Sequence, residues 1–581
     1  MVFLSPPWAR SLLPLAAPDD IRIDEFMFNE RHGRKTLANS RNPFTCGITG
    51  RSYSTAEVQK RVDFLARALS KRVGWVTSDQ TEWDRVACIY SLNTIDYVPL
   101  TYAVHRLNGI VTPASSGYSA QELIYQLRAT SASVLFTCMP LLEIALEAAA
   151  AVQIPRHRIF LLDMEGDSPD SPFTAISALI EEGAGLPQLV PLQWVKGQGT
   201  RQVAYICFSS GTSGLPKGVM ISHHNIISNV AANVAFEAHG RKLAGVETHV
   251  GLGILPFSHI YGLVIISHVQ PWRGDEIIVL PKYNLDHMLG AVQKFRINHL
   301  SLVPPIIIQL LDNVKKCQEY DLRSVRTVNT GAAPLAKETA EDFRKMWPTW
   351  KLTQGYGTPD PGLALRVPGV STTSEHDILP GSCGSILPGI RCKLVDFDNK
   401  EVTELETPGE LYVQGSSICL GYMNNARATA ETFVWDADGR WLRTGDVVVI
   451  RRSAQGNEHI VVVDRIKELI KTKGHQVAPA ELEAHLLIHP FVADCAVIPV
   501  SDKYAGEVPK AFVVRSSNAG SKPDQEVAAA ICRHVEEHKA KYKWLQGIEF
   551  LMEIPKSPSG KILRRILKDQ EKAKRKLQSN L

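Results

Sequence analysis

The chain is short of the features that would place it in several common classes. Across 581 residues, 64 Lys and Arg against 60 Asp and Glu leave a net charge of only +4. A dedicated nucleic-acid binder carries a concentrated basic face, so no nucleic-acid partner is expected. The ten cysteines include no C-x-x-C pair and no Cys/His cluster at zinc-ligand spacing. That excludes a disulfide scaffold and fits a reducing compartment, where cysteine serves as a small apolar residue. Long apolar runs are also missing. The stretch from Ser131 to Ile154 is broken by Pro140, Glu143 and Glu147, so no transmembrane segment is expected. The N-terminal MVFLSPPWARSLLPLAAP is interrupted by prolines and Arg10 and lacks a basic start; it reads as a leader into the fold rather than a secretory signal. There is no repeat and no low-complexity linker. What remains is a globular protein with an apolar share of 44% and room for about three or four domains.

Two S-x-x-E patterns, Ser54 to Glu57 and Ser119 to Glu122, predict capped helix starts, the first followed by apolar Val58, Val62, Leu65 and Leu69 on one face. Between about 200 and 360 apolar runs alternate with amphipathic stretches. Strands are expected at Val203–Phe208, His249–Leu255, Glu276–Leu280, His299–Val303 and Val325–Thr330, with helices at Leu285–Phe295 and Ala336–Met346. Such alternation implies an α/β fold of mostly parallel, helix-covered sheet. From about 381 short strands and glycines predict a small β-rich subdomain. A charged segment with its own strand and helix patterns begins near Asp464 and ends in a basic stretch, Lys561 to Lys576, that reads as a solvated helix. The expected domains are therefore 1–463, including a β-rich subdomain over about 381–463, and a small mobile α+β domain over 464–581.

The segment richest in chemistry is Ser209-Ser-Gly-Thr-Ser-Gly-Leu-Pro-Lys-Gly218, directly after the strand ending at Phe208. Its glycines let backbone amides approach an anion, its hydroxyls add donors, and Lys217 adds charge, as a triphosphate requires. It lacks the Gly-Lys-Ser/Thr of a Walker loop. A flexible linker would have no need of Pro216 and Lys217. Further segments follow in order: Leu255-PFSHIYG262, Thr330-GAAPL335, Gln354-GYG357, Gly409-ELYVQG415, Trp441-LRTGD446, Asp464-RIKELIKTKGHQVAPAELE483 and Pro555-KSPSGK561.

Together these resemble the motifs of the adenylate-forming superfamily, which includes acyl-CoA synthetases, 4-coumarate:CoA ligase, firefly luciferase and nonribosomal adenylation domains. The resemblance runs from roughly residue 50 to 565. It implies a two-step reaction using ATP, Mg²⁺ and coenzyme A, in which a small-molecule carboxylic acid becomes an acyl-AMP and then a thioester. Lys561 would be the catalytic lysine, neutralising phosphate and carboxylate oxygens as they meet. ATP and AMP would be held by Ser209, Ser210, Gly211, Thr212, Ser213, Gly214, Lys217, Ala332, Gln354, Gly355, Tyr356, Gly357, Thr358, Asp446, Arg465, Lys471 and Gln476, with Asp446 accepting ribose hydroxyls and Tyr356 flat against adenine. His259, Tyr261, Ile265, Asn329, Ala332, Gly357 and Leu363 would wall the acyl pocket, His259 as a gating residue. Ile265 would narrow that pocket and Asn329 add a polar spot, which suits an aryl or medium-sized acid. Lys473 and Gly474 would serve coenzyme A after a swing about Asp464.

One segment departs from the pattern. After Gln354-GYG357 the family continues with any residue and then Thr-Glu, whereas this chain has Thr358-Pro359-Asp360-Pro361. On an ungapped match Asp360 stands in for the magnesium-binding glutamate, its reach shorter by about 1.5 Å. An acyl-CoA ligase, an enzyme loading a free-standing acyl carrier protein and a catalytically impaired nucleotide-binding relative therefore stay open. The C-terminal Ser579-Asn-Leu581 is similar to the peroxisomal Ser-Lys-Leu address, so the expected location is peroxisomal or cytoplasmic.

Overall fold

The motif-bearing strands are divided among three sheets. The computed structural model describes residues 1–10, 17–75, 81–164, 171–209, 216–333, 335, 337–357, 370–374, 376–396, 398–466, 468–472, 475–502, 505–556 and 562–579. In the seven-stranded sheet the order is Gly421–Tyr422, Lys217–Ser222, Val203–Ser209, Ile110–Ala114, Val86–Tyr90, Val134–Thr137, Ile159–Leu161. The strands from Val203–Ser209 onward in that order are parallel, and Lys217–Ser222 runs antiparallel to Val203–Ser209. Every residue of Val86–Tyr90 and Ile110–Ala114 is buried, as expected of parallel strands covered on both faces.

The second sheet has a parallel half, Phe44–Cys46, Glu276–Val279, Val250–Gly253, His299–Leu302, Thr327–Thr330 and Lys351–Tyr356. Through Ser371–Thr372 and Ser385–Ile386 it turns antiparallel and runs on into Glu458–Arg465, Gly439–Arg452, Gly409–Gly415 and Ile390–Val395. The β-rich stretch after 381 thus continues the same sheet. Both capping boxes form. Helix Leu285–Phe295 has the expected bounds, the second expected helix is Lys337–Met346, and the expected strands end within two residues of those observed.

A third, five-stranded sheet comprises Ile470–Thr472, His475–Val477, Val492–Asp502, Gly506–Arg515 and Gly547–Phe550, and pairs with neither of the others. Helices Pro479–Leu487 and Asp524–His538 cover its own core of Ile470, Val477, Leu482, Leu486, Val497, Val513, Val527 and Ile531. Among the described residues a small apolar patch, Val447 with Ile466, Leu469 and Ala478, spans the passage from the second sheet to the third. The basic terminal helix, Arg564–Ser579, corrects the expectation of a solvated helix. Leu567 is fully buried against Ile498 and Phe512, and Glu571 receives Lys510 Nζ at 2.5 Å. Among the described residues no helix is long and apolar enough to cross a membrane.

Candidate active site

The phosphate-loop motif is flanked by two antiparallel strands. Val203–Ser209 and Lys217–Ser222 pair with Ser209 opposite Lys217 and Phe208 opposite Gly218. Ser209 ends the first strand; Ser210, Gly211, Thr212, Ser213 and Gly214 lie outside the described residues. The far stem is held by the Tyr125 hydroxyl, which donates to the Pro216 carbonyl at 2.8 Å. Lys217 is exposed, its Nζ 5.3 Å from the Tyr422 ring centroid.

Strand Lys351–Tyr356 sits where the second sheet changes from parallel to antiparallel, with Thr330 beside Gln354 and Ser371 beside Tyr356. The Tyr356 ring is 4% exposed and its hydroxyl donates to Asp446 Oδ2 at 2.5 Å. Burial, then the Asp446 carboxylate, raises the phenol pKa well above its ordinary value. Asp446 itself is buried, and its Oδ1 stands 3.4 Å from Arg465 Nε on the neighbouring strand, where Asp446 and Arg465 are cross-strand partners. Tyr356 and Arg465 thus both meet the Asp446 carboxylate at the wall of a cavity.

Two cavities meet at this point. One, of about 390 Å³, opens between the second and third sheets and is lined by Gln354, Asp446, Asp464, Arg465, Lys556 and Arg564 among others. The other, smaller at about 60 Å³, is lined by His259, Tyr261, Ile265, Asn329, Gly331 and neighbours. Ala332, Gly355, Tyr356 and Gly357 line both. Ala332 holds φ +66°, a left-handed conformation that costs a side-chain-bearing residue of order 1 kcal/mol.

In the small cavity the expected wall residues come together. Tyr261 and Ile265 lie one turn apart on a π-helical segment, Tyr261–Val269, a form that recurs at functional sites. Its entry requires glycine: a Cβ on Gly262 would stand 2.2 Å from the Pro256 carbonyl oxygen. His259 Nδ1 accepts the Tyr261 N–H at 3.3 Å. Asn329 is spent on positioning, because its Oδ1 accepts the Tyr261 hydroxyl at 2.7 Å and its Nδ2 donates to Thr353 at 3.1 Å. The polar character resides instead in the cavity's remaining lining, which includes Asn233, Glu237, Gln270, Arg273 and His299. Arg273 pairs with Glu237 and with Asp275, which also binds Arg241. No motif flagged these residues; an Arg-Gly-Asp inside an otherwise apolar stretch was the available signal.

Lys561, Thr358, Asp360, Leu363, Lys473 and Gly474 lie outside the described residues. The loop carrying Lys561 is closed at its base by a bridge between Lys556 and Ile562, and both residues line the larger cavity. Lys471 and Gln476 are cross-strand partners in the small domain; Lys471 is exposed and does not line either cavity.

The larger cavity and the smaller pocket thus share a wall at Ala332, Gly355, Tyr356 and Gly357. Residues 30–423 match the AMP-binding enzyme family and residues 481–561 its C-terminal domain. Acyl-CoA ligase AFT1-1 of Alternaria alternata is 40% identical over 587 residues, covering 100% of this chain and 99% of its own. Acyl-CoA ligase easD of Emericella nidulans is 37% identical, covering 98% and 100%. In fold, ATP-bound MatB from Rhodopseudomonas palustris superposes with a TM-score of 0.76 at 22% identity, over 95% of this chain and 99% of that one. The anthranilate CoA ligase AuaEII with anthranoyl-AMP gives 0.76 at 22%, over 95% and 98%. The chain belongs to the AMP-binding enzymes, among the AMP-forming acyl-CoA ligases.

Proposed function

We propose that the enzyme activates a compact carboxylic acid, of aryl or medium-chain type, and passes it to coenzyme A. The observation that carries this reading is the shared wall of Ala332, Gly355, Tyr356 and Gly357 between the small pocket and the larger cavity. An acid in the pocket and Mg·ATP in the cavity meet there. The carboxylate oxygen attacks the α-phosphorus, the bond to pyrophosphate breaks, and an acyl-AMP forms. Ser209–Gly214, Lys217 and Thr358 serve the phosphates, Asp446 the ribose, and Gln354, Tyr356, Arg465, Lys471 and Gln476 the rest of the nucleotide. Asp360 is the protein's ligand to the Mg²⁺ that ATP brings, and Lys561 steadies the charge that builds at the reacting oxygens.

In the second step the coenzyme A thiol, losing its proton, attacks the acyl carbonyl and AMP leaves. The small domain, divided from 1–463 at Asp464, swings so that Lys473 and Gly474 replace Lys561 at the site. The small volume of the pocket, about 60 Å³, supports a compact acid over a long straight chain. Its ion-paired Arg273 and Glu237, with Gln270 Oε1 buried and unpartnered, support an acid bearing a hydroxyl or similar polar group away from its carboxylate.

ATP–pyrophosphate exchange with a panel of aryl and medium-chain acids, with and without a distal hydroxyl, tests the reading. Exchange is expected with a subset of the panel, to require Mg²⁺, and to vanish in Lys561→Ala. A folded, ATP-binding protein with no exchange on any acid would make Thr358–Pro361 the lesion and the chain an impaired relative. Peroxisomal location rests on Ser579-Asn-Leu581, of which Asn580 and Leu581 lie outside the described residues. A tagged chain that stays cytosolic, as one lacking those three residues does, would remove it.

A further inference from the structure

Four histidines gather on the small domain, away from the cavities just described. His485 lies on helix Pro479–Leu487 and His489 in the turn after it; His534 and His538 lie on helix Asp524–His538. Each pair has the H-x3-H spacing that puts two rings on one helical face. A search for mixed Cys/His motifs passes over this pattern, because its two halves are separated by 44 residues and contain no cysteine ligand.

We propose that His485, His534 and His538 form a binding site for one divalent transition-metal ion, Zn²⁺ foremost, that clamps the two helices together. One ring nitrogen from each of the three lies within 4.8 Å of the others. Around Zn²⁺, nitrogens at about 2.0 Å from the ion stand roughly 3.3 Å apart, so the rings close by ~1.5 Å on binding. His538 is exposed and has room to move. The His485 and His534 rings are stacked at 4.2 Å and 5°, and one of them turns.

Hydrogen bonds already set the protons as such a site needs. His485 Nε2–H donates to the His534 carbonyl at 3.3 Å, and His534 Nε2–H to the His485 carbonyl at 3.3 Å. His538 Nδ1–H donates to the His534 carbonyl at 2.8 Å. A neutral imidazole with one N–H so used keeps its lone pair on the other nitrogen, and a backbone carbonyl is a common outer partner of metal-bound histidine. His489 differs. Its ring stands 5.2 Å from that of His534, but its Nδ1 accepts the Phe491 N–H at 3.2 Å, which leaves the proton on Nε2. It flanks the site without ligating. Three imidazoles and an open fourth position suit Zn²⁺ and its first-row neighbours, not the oxygen-seeking Mg²⁺ or Ca²⁺.

The test is calorimetric titration of ZnCl₂ into the full-length, untagged, metal-stripped chain, with Co²⁺ absorption as a second readout. One equivalent is expected at micromolar Zn²⁺, with a cobalt d–d band. His534→Ala and His538→Ala are each expected to weaken binding at least ~10-fold, and His489→Ala to change it by less than about twofold. Zn²⁺ should raise the melting temperature of the unaltered chain and not of His538→Ala, whose exposed position leaves folding intact. No uptake at micromolar Zn²⁺, or uptake that survives both His534→Ala and His538→Ala, would overturn the proposal.

Discussion

Tyr356 and Asp446 show how one buried hydrogen bond links stability to substrate handling. The phenol donates to a carboxylate with almost no access to water, a charge-assisted contact worth about 1.5–3 kcal/mol. Tyr356→Phe should lower unfolding stability by roughly that amount in urea titration. It should leave the KM for ATP nearly unchanged, because phenylalanine keeps the ring and the Asp446 carboxylate stays in place. Asp446→Asn should raise that KM about tenfold or more, the loss of a single charged hydrogen bond. If the two variants raise KM equally, Tyr356 and not Asp446 is the nucleotide's partner. Ala332, at φ +66°, gives a sharper case. Ala332→Gly relieves the backbone and should add up to about 1 kcal/mol of stability, whereas Ala332→Val fills the junction of both cavities and should abolish exchange without unfolding the protein.

Among the elements, the terminal helix and the strand entering the small domain carry the strongest electrostatics. Arg564 is buried and donates to Glu468 at 2.6 Å and to both oxygens of Glu483 at 2.6 and 2.7 Å. Burial alone would lower its pKa, but Glu483, Glu468 and Asp464 together raise it. Arg564→Ala leaves two carboxylates without their cation and should cost about 3–5 kcal/mol in chemical denaturation. Asp464 stands at the passage between sheets, and burial raises its pKa to about 7 despite hydrogen bonds from the Arg465 and Ala480 N–H groups. A carboxyl raised from 3.8 to about 7 supports this arrangement fully below pH 4 and withdraws that support as pH climbs through 7. Opening of the small domain, followed by a fluorescence pair across the passage, should therefore grow between about pH 4 and 7, level off above that, and lose this dependence in Asp464→Asn. The terminal helix was also where sequence pattern misled. Its charge density reads as solvated, and the burial of Leu567 and the ion pairs of Arg564 and Glu571, contacts 55 to 96 residues away in the chain, help dock it.

Across the whole molecule, what was legible followed the range of the interactions. Capping boxes and the helix Leu285–Phe295 rest on neighbours within a few residues, and they stand where pattern placed them. Asp446, Gln354 and Ala332 belong to short motifs far apart in the chain, and the fold brings them to one cavity. The polar lining of the smaller cavity was not legible: Glu237 and Arg273 come from separate elements, and each alone looks like a surface charge. Sheet membership was hidden for a related reason. Strand Val203–Ser209 belongs with strands before it in the chain, and the β-rich stretch continues the parallel sheet, because pairing partners are chosen by tertiary packing.

The third sheet shares no ladder with the other two and reaches them through a patch of four apolar side chains and the polar walls of the cavity. Heat should therefore take the protein apart in two stages. Scanning calorimetry would show a smaller endotherm for residues beyond 463 separating from the main one, and a fragment starting there would refold unaided. Ligand would then act as solder: an acyl-adenylate analogue seated between the sheets should draw the two transitions into one.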